Sequence, residues 1–395
     1  MAVDDLRMMR RALALARMGI GHASPNPSVG CVLVKGGRII GEAFHRYAER
    51  DHAEVRAVRQ AGARARGATA YVSLEPCAHQ GRTPPCADLL IEAGIRRVVV
   101  PMLDPNPLVI GRGVERLRAA GIQVDVGMMQ AEAGRVVEPF ACHVRTGLPL
   151  VVAKAGMSLD GRIAPPKGRD HWISSPAARR FGQSLRHRLD AILVGVGTIL
   201  DDDPQLNYRG TAPKMRPLVR AVLDSRLRTP PAARLFDADP SLPVIVFCAG
   251  GAPSNRRKAL ERSGAEVIPI ERRDAGLNLA AVLKELGRRD LLGVLVEGGS
   301  AVHGSFISAE LVDKFYFSIA PLVLGGSRSV PAVGGAGYLT VPAAPRFQIV
   351  RHFRVGCDVI LETYPSYSRS LLSPWLQPAS APSSSRCSPN ASERR

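Results

Sequence analysis

His52-Ala53-Glu54, then Ala68–Leu74 running into Glu75-Pro76-Cys77, then Gly81-Arg82-Thr83-Pro84-Pro85-Cys86 is the stretch that decides how the chain folds. One imidazole (His52) and two thiolates (Cys77, Cys86) can hold Zn²⁺ tetrahedrally and leave a fourth position for water. Two thiolates make the ion nearly neutral, yet it still brings the pKa of bound water to roughly 7. Glu54 is then a carboxylate that does not ligate but can shuttle protons from water to a substrate ring nitrogen and a leaving group. Residues two apart on a helix diverge by roughly 200°. His52 as ligand and Glu54 as base therefore both work only in a helix's first turn. Ala53–Ala65 predicts that helix, and Pro84-Pro85-Cys86 predicts the start of a second, Cys86–Ala93, closed by Gly94. Thiolates near helix N-termini are favoured by the backbone dipole. Ala68–Leu74 predicts a strand between the two helices.

Two lone cysteines are commonly buried small hydrophobes, and His-Ala-Glu on a helix is commonly surface. Their order here, joined by a strand, instead matches the H-x-E plus P-C…C arrangement of zinc nucleobase deaminases. The cysteine spacing departs from the usual C-x2-C: here it is C-x8-C.

Outward from this stretch, Asp5–Met18 has helical periodicity ending at Gly19. Val29–Val34 and Arg38–Ala43 read as strands joined by the hairpin signal Lys35-Gly36-Gly37. Downstream come a strand Arg97–Val100, a helix around Val114–Ala120 and a strand Gln123–Val126. The pattern predicts a three-layer α/β domain with a mixed sheet, ending near Thr146-Gly147-Leu148-Pro149. A second α/β domain follows. Its strands are expected at Ala191–Val196, Leu218–Asp224, Pro243–Phe247, Glu266–Ile270, Gly293–Val296, Lys314–Ile319 and, last, Val355–Glu362. Helices are expected at Pro176–Leu189, Arg256–Ser263, Ala280–Arg288 and Ala301–Ala309. From Pro365 the composition turns to Ser, Pro and Arg without periodicity, which predicts a disordered tail over 365–395. At 395 residues the chain is long enough for two domains, taken here as 1–147 and 148–364.

The net charge is +18, but no Lys/Arg run is interleaved with aromatics. The charge is therefore read as an Arg-rich chain with pockets for phosphorylated ligands, with no nucleic-acid partner. Seven scattered cysteines make no disulfide framework. No apolar run reaches the ~18 residues of a membrane span, so a cytoplasmic protein with no membrane partner is expected. Val294-Leu-Val-Glu297-Gly298-Gly299-Ser300 is a strand, a Gly-rich turn and a helix start, suited to an anion. Gly195-x-Gly197 lacks the third Gly and downstream acid of a dinucleotide fingerprint, so a Rossmann domain is not expected.

Pro25-Asn26-Pro27-Ser28-Val29-Gly30-Cys31-Val32-Leu33-Val34, His52-Ala53-Glu54 and the unbroken run Glu75–Cys86 resemble the deaminase half of the bifunctional riboflavin-biosynthesis deaminase–reductases. The long insert with His79, Arg82 and Thr83 is typical of that family. Lys154-Ala-Gly156-Met-Ser-Leu-Asp160-Gly161-Arg162-Ile163, Trp172-Ile-Ser-Ser175, Thr198-Ile-Leu-Asp-Asp202-Asp203-Pro204-Gln-Leu206, Leu223-Asp224-Ser225 and Glu297-Gly298-Gly299 are similar to its reductase half. The resemblance implies a cytidine-deaminase-like domain, then a dihydrofolate-reductase-like domain that uses NADPH. It also implies a dimer or tetramer.

By the same resemblance, Asn26, His45, His79, Arg82 and Thr83 would hold the substrate at the zinc site. Gly156, Trp172, Thr198, Asp202, Ser225 and the turn Gly299, Ser300, Ala301, Val302, His303, Gly304 and Ser305 would hold NADPH. Ser225 with Arg226 or Arg228 would take its 2′-phosphate. Asp170, Arg186, Leu206, Arg209 and Glu297 would face the second substrate, with Lys154 and Glu297 catalytic. The implied reactions are deamination of 2,5-diamino-6-ribosylamino-4(3H)-pyrimidinone 5′-phosphate, then reduction of its ribosyl chain to give 5-amino-6-ribitylamino-uracil 5′-phosphate. Two other classes remain open from the residues: a zinc deaminase of nucleic acids, and a scaffold whose structural zinc takes His79 or Cys31 as fourth ligand.

Overall fold

A computed structural model describes residues 4–80, 84–166, 172–237, 239, 241–273 and 276–369. The first domain comprises helix α1 (Asp5–Met18), strands β1 (Gly30–Lys35) and β2 (Arg38–Phe44), helix α2 (Ala53–Ala61), strand β3 (Thr69–Val72), helix α3 (Cys86–Glu92), strand β4 (Arg97–Val100), helix α4 (Arg112–Ala119), strand β5 (Gln123–Val126) and helix α5 (Gln130–Thr146). The strands form one mixed sheet in the order β2-β1-β3-β4-β5. β1 pairs antiparallel with β2 and β3, whereas β3, β4 and β5 run parallel.

Alternation along β1 sets the layers. Cys31 and Leu33 face α2, α3 and α4, packing with Ala57, Ala87, Leu90 and Leu117. Val32 and Val34 face α1 and α5, packing with Met9, Leu13 and Val137. Each large apolar side chain so buried contributes roughly 1.5–3 kcal/mol. Two glycines permit close approach: a Cβ at Gly30 would lie 2.2 Å from the Ala12 carbonyl oxygen, and one at Gly41 2.3 Å from that of Ala57. The expected three-layer α/β domain is present.

The second domain has β6 (Leu150–Met157), β7 (Arg162–Ala164), α6 (Pro176–Arg188), β8 (Ala191–Gly195), α7 (Val196–Asp202), β9 (Val219–Leu223), α8 (Arg234–Asp237), β10 (Val244–Ala249), α9 (Ser254–Arg262), β11 (Ala265–Ile270), β12 (Arg272–Arg273), β13 (Gly276–Leu277), α10 (Leu279–Gly287), β14 (Gly293–Val296), α11 (Ser300–Ser308), β15 (Lys314–Ile319), β16 (Val330–Pro331), β17 (Phe347–Val355) and β18 (Asp358–Pro365). Nine strands form its main sheet in the order β11-β10-β9-β8-β14-β6-β15-β18-β17. β11 through β15 in that order run parallel, and β18 and β17 add antiparallel at one edge. Helices α10 and α11 cover one face.

The structure corrects two expectations here. Val355–Glu362 is not one strand: the chain turns at Gly356-Cys357, and residues on either side pair as the β17–β18 hairpin. Gly356 takes φ +64°, which a residue without a Cβ adopts at low cost. The chain also stays packed beyond Pro365, the expected start of the tail. The Ser368 hydroxyl donates to the Asp313 carbonyl at 2.6 Å, and Arg369 pairs with the Asp313 carboxylate. The remainder of the expected tail, from 370, lies outside the described residues.

The domains are stitched together. α5 carries Glu138, which pairs with the buried Lys314 of β15, and Lys314 lies 3.5 Å from Glu362 of β18. The Arg216 guanidinium donates to the Ser24 hydroxyl at 3.1 Å, and the Met215 N–H donates to the Gly21 carbonyl at 3.1 Å. No described helix is long and apolar enough to cross a membrane.

Candidate functional sites

His52 is the N-cap of α2 and Cys86 the first residue of α3, so both stand at helix starts, as the sequence predicts. Cys77 lies between them on the chain that leaves β3. His52 Nδ1 lies 3.2 Å from Cys86 Sγ and 3.6 Å from Cys77 Sγ. A tetrahedral zinc with one nitrogen and two sulfur ligands needs donor separations of roughly 3.5 Å. The donor set and its spacing therefore fit zinc, and the three donor atoms lie within 4.8 Å of one another. Hydrogen bonding with Cys86 and His52 draws the Cys77 thiol well below its ordinary value, against the effect of burial. The Cys86 N–H donates to Cys77 Sγ at 3.3 Å.

Glu54 follows in the first turn of α2 and is buried at 3 % exposure. Burial pushes its carboxyl above its ordinary value, while the charge of His52 opposes the shift. His45 is buried beside His52, their ring centroids 5.1 Å apart. His45 Nδ1 lies 3.0 Å from the Asp51 carbonyl and its Nε2 3.0 Å from Asn26 Nδ2. The carbonyl can only accept, so Nδ1 carries the proton and Nε2 accepts from Asn26. Asn26, His45, His52 and Glu54 thus come together from a loop, the end of β2 and the start of α2. His79 is exposed. Arg82 and Thr83 lie outside the described residues.

Sequence reasoning passed over the Asp104-Pro105-Asn106 loop. Burial lifts the Asp104 carboxyl to about 6, and the group senses the charges of Glu75, His79 and Cys77. Its signal in the sequence was a Pro-flanked Asp and Asn after β4.

In the second domain five of the expected residues lie at the carboxyl ends of adjacent parallel strands, where open α/β sheets bind ligands. Lys154 and Gly156 are on β6, Thr198 is on α7 just after β8, Ser225 follows β9 and Glu297 follows β14. Lys154 Nζ lies 3.4 Å from Glu297 Oε1, and Arg186 donates to Glu297 Oε2 from Nη2 at 2.6 Å and Nε at 3.0 Å. Burial alone would raise the Glu297 carboxyl, but the charges of Arg186 and Lys154 more than reverse it, holding it at about 2. Two cations against one carboxylate leave a surplus positive charge. Arg186 also donates to the Asn207 carbonyl at 2.9 Å, next to Leu206, a buried residue in the left-handed region at φ 52°. The Arg209 N–H donates to Gln183 at 2.8 Å, and its side chain is exposed.

Trp172 is exposed, with the Arg179 guanidinium 4.6 Å from its ring centroid. Asp202 is exposed at the end of α7, and Arg226 and Arg228 follow the half-buried Ser225 as exposed cations. The turn at Gly299 is open: a Cβ there would meet only Thr198 Oγ1, at 3.9 Å. Ser300 is half-buried and Ala301 and Ser305 are exposed. His303 and Gly304 face inward, His303 against the Ala332 and Val296 carbonyls and Gly304 against the Gly334 backbone. Val302 is pinned against Gly195 and Gly298. At these three positions the side of the turn away from Thr198 packs against the protein. Asp170 lies outside the described residues.

The family model described as cytidine and deoxycytidylate deaminase zinc-binding region matches residues 2–102, and that described as RibD C-terminal domain matches residues 149–361. The riboflavin biosynthesis protein RibD of Escherichia coli is 41% identical over 374 residues, covering 91% of this chain and 99% of its own length. That of Bacillus amyloliquefaciens is 39% identical over 357 residues, covering 90% and 95%. The solved Acinetobacter baumannii RibD is similar at a TM-score of 0.79 and 35% identity, covering 92% of this chain and 99% of its own. A Thermotoga maritima structure described as a diaminohydroxyphosphoribosylaminopyrimidine deaminase/5-amino-6-(5-phosphoribosylamino)uracil reductase has TM-score 0.79 and 35% identity, covering 91% and 98%. Similarity of this extent runs through both domains and both clusters of side chains, and the chain accordingly belongs to the RibD family of bifunctional riboflavin-biosynthesis enzymes, zinc deaminase and NADPH-dependent reductase in one polypeptide.

Proposed function

We propose that the first domain removes the 2-amino group of 2,5-diamino-6-ribosylamino-4(3H)-pyrimidinone 5′-phosphate as ammonia. The second then reduces the ribosyl chain, giving 5-amino-6-ribitylamino-uracil 5′-phosphate. The observation that carries this proposal is the presence, in one chain, of a His/Cys/Cys donor set beside a buried carboxylate and a Lys154–Glu297–Arg186 cluster at the strand ends of a second sheet.

His52, Cys77 and Cys86 would hold zinc, which when bound supplies a Lewis acid that makes water nucleophilic near neutral pH. Glu54 takes a proton from the attacking water and delivers it to the ring nitrogen and the departing ammonia. Asn26, with its amide held by His45, orients the pyrimidine end; His79, Arg82 and Thr83 are assigned to the phosphate end. In the second domain NADPH, when bound, supplies the hydride. Gly156, Trp172, Thr198, Asp202, Ser225 and the turn over residues 299–305 are assigned to it. Asp170, Arg186, Leu206, Arg209 and Glu297 are assigned to the substrate. Lys154 and Arg186 outweigh Glu297 in charge, which suits an anionic, phosphorylated ligand. Glu297, fixed as a carboxylate, accepts from a ribose hydroxyl or ring N–H. We place the division at residues 147/148 with the reductase domain from 148 to at least 364, and propose a cytoplasmic dimer or tetramer.

The test is Cys86→Ala. Zinc content and ammonia release are expected to vanish while NADPH oxidation persists on substrate already deaminated. Stoichiometric zinc in that variant would overturn the ligand assignment.

A further inference from the structure

Glu75, two residues before the zinc ligand Cys77, is buried, at 5 % exposure. Its carboxylate accepts four backbone N–H groups. Oε1 takes those of Gly113 at 2.8 Å and Val114 at 3.1 Å; Oε2 takes those of Asp104 at 2.8 Å and Gly111 at 2.9 Å. The first pair are otherwise orphan donors at the start of α4, and the second pair lie in the preceding loop. Two oxygens offer about four lone-pair sites, so the acceptor capacity is filled, and every partner is a donor. Such charge-assisted bonds are about twice as strong as neutral ones.

The anchoring reaches Cys77 through a stiff path. Pro76, with its φ fixed by the ring, is the one residue between them. The Pro76 carbonyl is itself wedged against α4: a Cβ at Gly113 would lie 1.9 Å from its oxygen. On the far side, the Ala87 N–H of α3 donates to the Cys77 carbonyl at 3.1 Å. The Asp104 loop is closed in turn by the Asn106 N–H donating to Asp104 Oδ1 at 2.8 Å and the Leu108 N–H donating to Asn106 Oδ1 at 3.0 Å. Cys77 is therefore held from the Glu75 side by α4 and from the other side by α3.

We infer that Glu75 is a positioning residue of the deaminase site: it fixes the Cys77 thiolate at bonding distance from zinc by locking the Glu75-Pro76-Cys77 segment to the α4 start and the Asp104 loop. It acts through Cys77 and touches neither metal nor substrate. Partners that orient ligands typically change metal affinity or activity by 10–100-fold when removed.

Glu75→Gln keeps the shape but turns an NH₂ toward two N–H donors. The expected result is zinc affinity lowered by roughly 10–100-fold, a shifted thiolate-to-metal absorption band in the Co²⁺-substituted protein, and deaminase kcat falling more than KM rises. NADPH oxidation by the second domain, on substrate already deaminated, should match the parent, which shows that the fold survives. Parent-like zinc affinity and an unshifted Co²⁺ spectrum would overturn the inference and leave Glu75 as a loop staple alone. A measurement on the parent enzyme stands beside it in case the variant does not fold. Chelating zinc should speed hydrogen exchange at the amides of Asp104, Gly111, Gly113 and Val114, none of which is a metal ligand. Exchange there that is indifferent to zinc would contradict the coupling.

Discussion

At the scale of single residues, two carboxylates are put to opposite use by their surroundings. Glu54 is buried next to the zinc ligands, and burial raises its carboxyl, as suits a group that must take up a proton. Glu54→Gln is expected to keep zinc while deamination falls by roughly 10²–10⁴-fold; metal analysis with ammonia assay checks both, and a variant that keeps its rate would move the shuttle to another group. Glu297 is half-buried, but Arg186 and Lys154 hold it ionised at about 2 against an ordinary value of 4.5. A depressed carboxyl contributes stability that is complete above its unfolded pKa and is lost as the pH falls through its folded one. The Glu297 contribution should therefore be intact above pH 4.5 and decline from there toward pH 2. Acid unfolding of Glu297→Gln should lack that decline; a profile identical to the parent's would mean the cluster does not link to stability.

At the scale of elements, the first domain was the more legible half. Arg97–Val100 and Gln123–Val126 are found as expected, and α2, α3 and α4 end within a few residues of their predicted bounds. Strong alternation, Gly stops and a Pro before Cys86 carried that reading. The long α5 was not foreseen, because Gly134 and Pro139 lie inside it and break the local propensity. Packing overrides them: Val137 and Cys142 bury against opposite domains. α7 was missed since seven residues give less than two turns of periodicity. Gly356 alone marks the turn of the β17–β18 hairpin, so the sequence reads there as one strand. The His52, Cys77 and Cys86 cluster is legible because its residue types are chemically scarce. Glu75 carries no such mark, since a carboxylate that serves backbone amides leaves no spacing signature. Glu138 of α5 pairs with Lys314 of β15, which also faces Glu362 of β18. Removing one partner of a buried pair leaves an uncompensated charge. Glu138→Ala should cost on the order of 3 kcal/mol, the low end for such a pair because Glu362 remains. Urea unfolding measures it, and an unchanged midpoint would show the pair to be neutral.

At the scale of the whole molecule, two sheets of different topology are joined through α5 and the contacts of residues 215 and 216 with residues 21 and 24, yet each presents its own cluster of candidate site side chains. The sites should be separable. Lys154→Ala is expected to abolish NADPH oxidation and leave ammonia release intact; a parallel loss of both would tie the two chemistries to one site. Cofactor preference should be for NADPH over NADH, with Arg226 and Arg228 beside Ser225 as the exposed cations available to a 2′-phosphate. The most direct test of the whole is to give the purified, zinc-loaded enzyme the diamino-pyrimidinone ribosylamino phosphate, with and without NADPH, and follow ammonia and NADPH together. Ammonia should appear at the same initial rate in both arms, and NADPH should be consumed only after ammonia is released, reaching one equivalent per ammonia. NADPH consumed without ammonia release, or no ammonia from the zinc-loaded enzyme, would contradict a chain that deaminates first and reduces second.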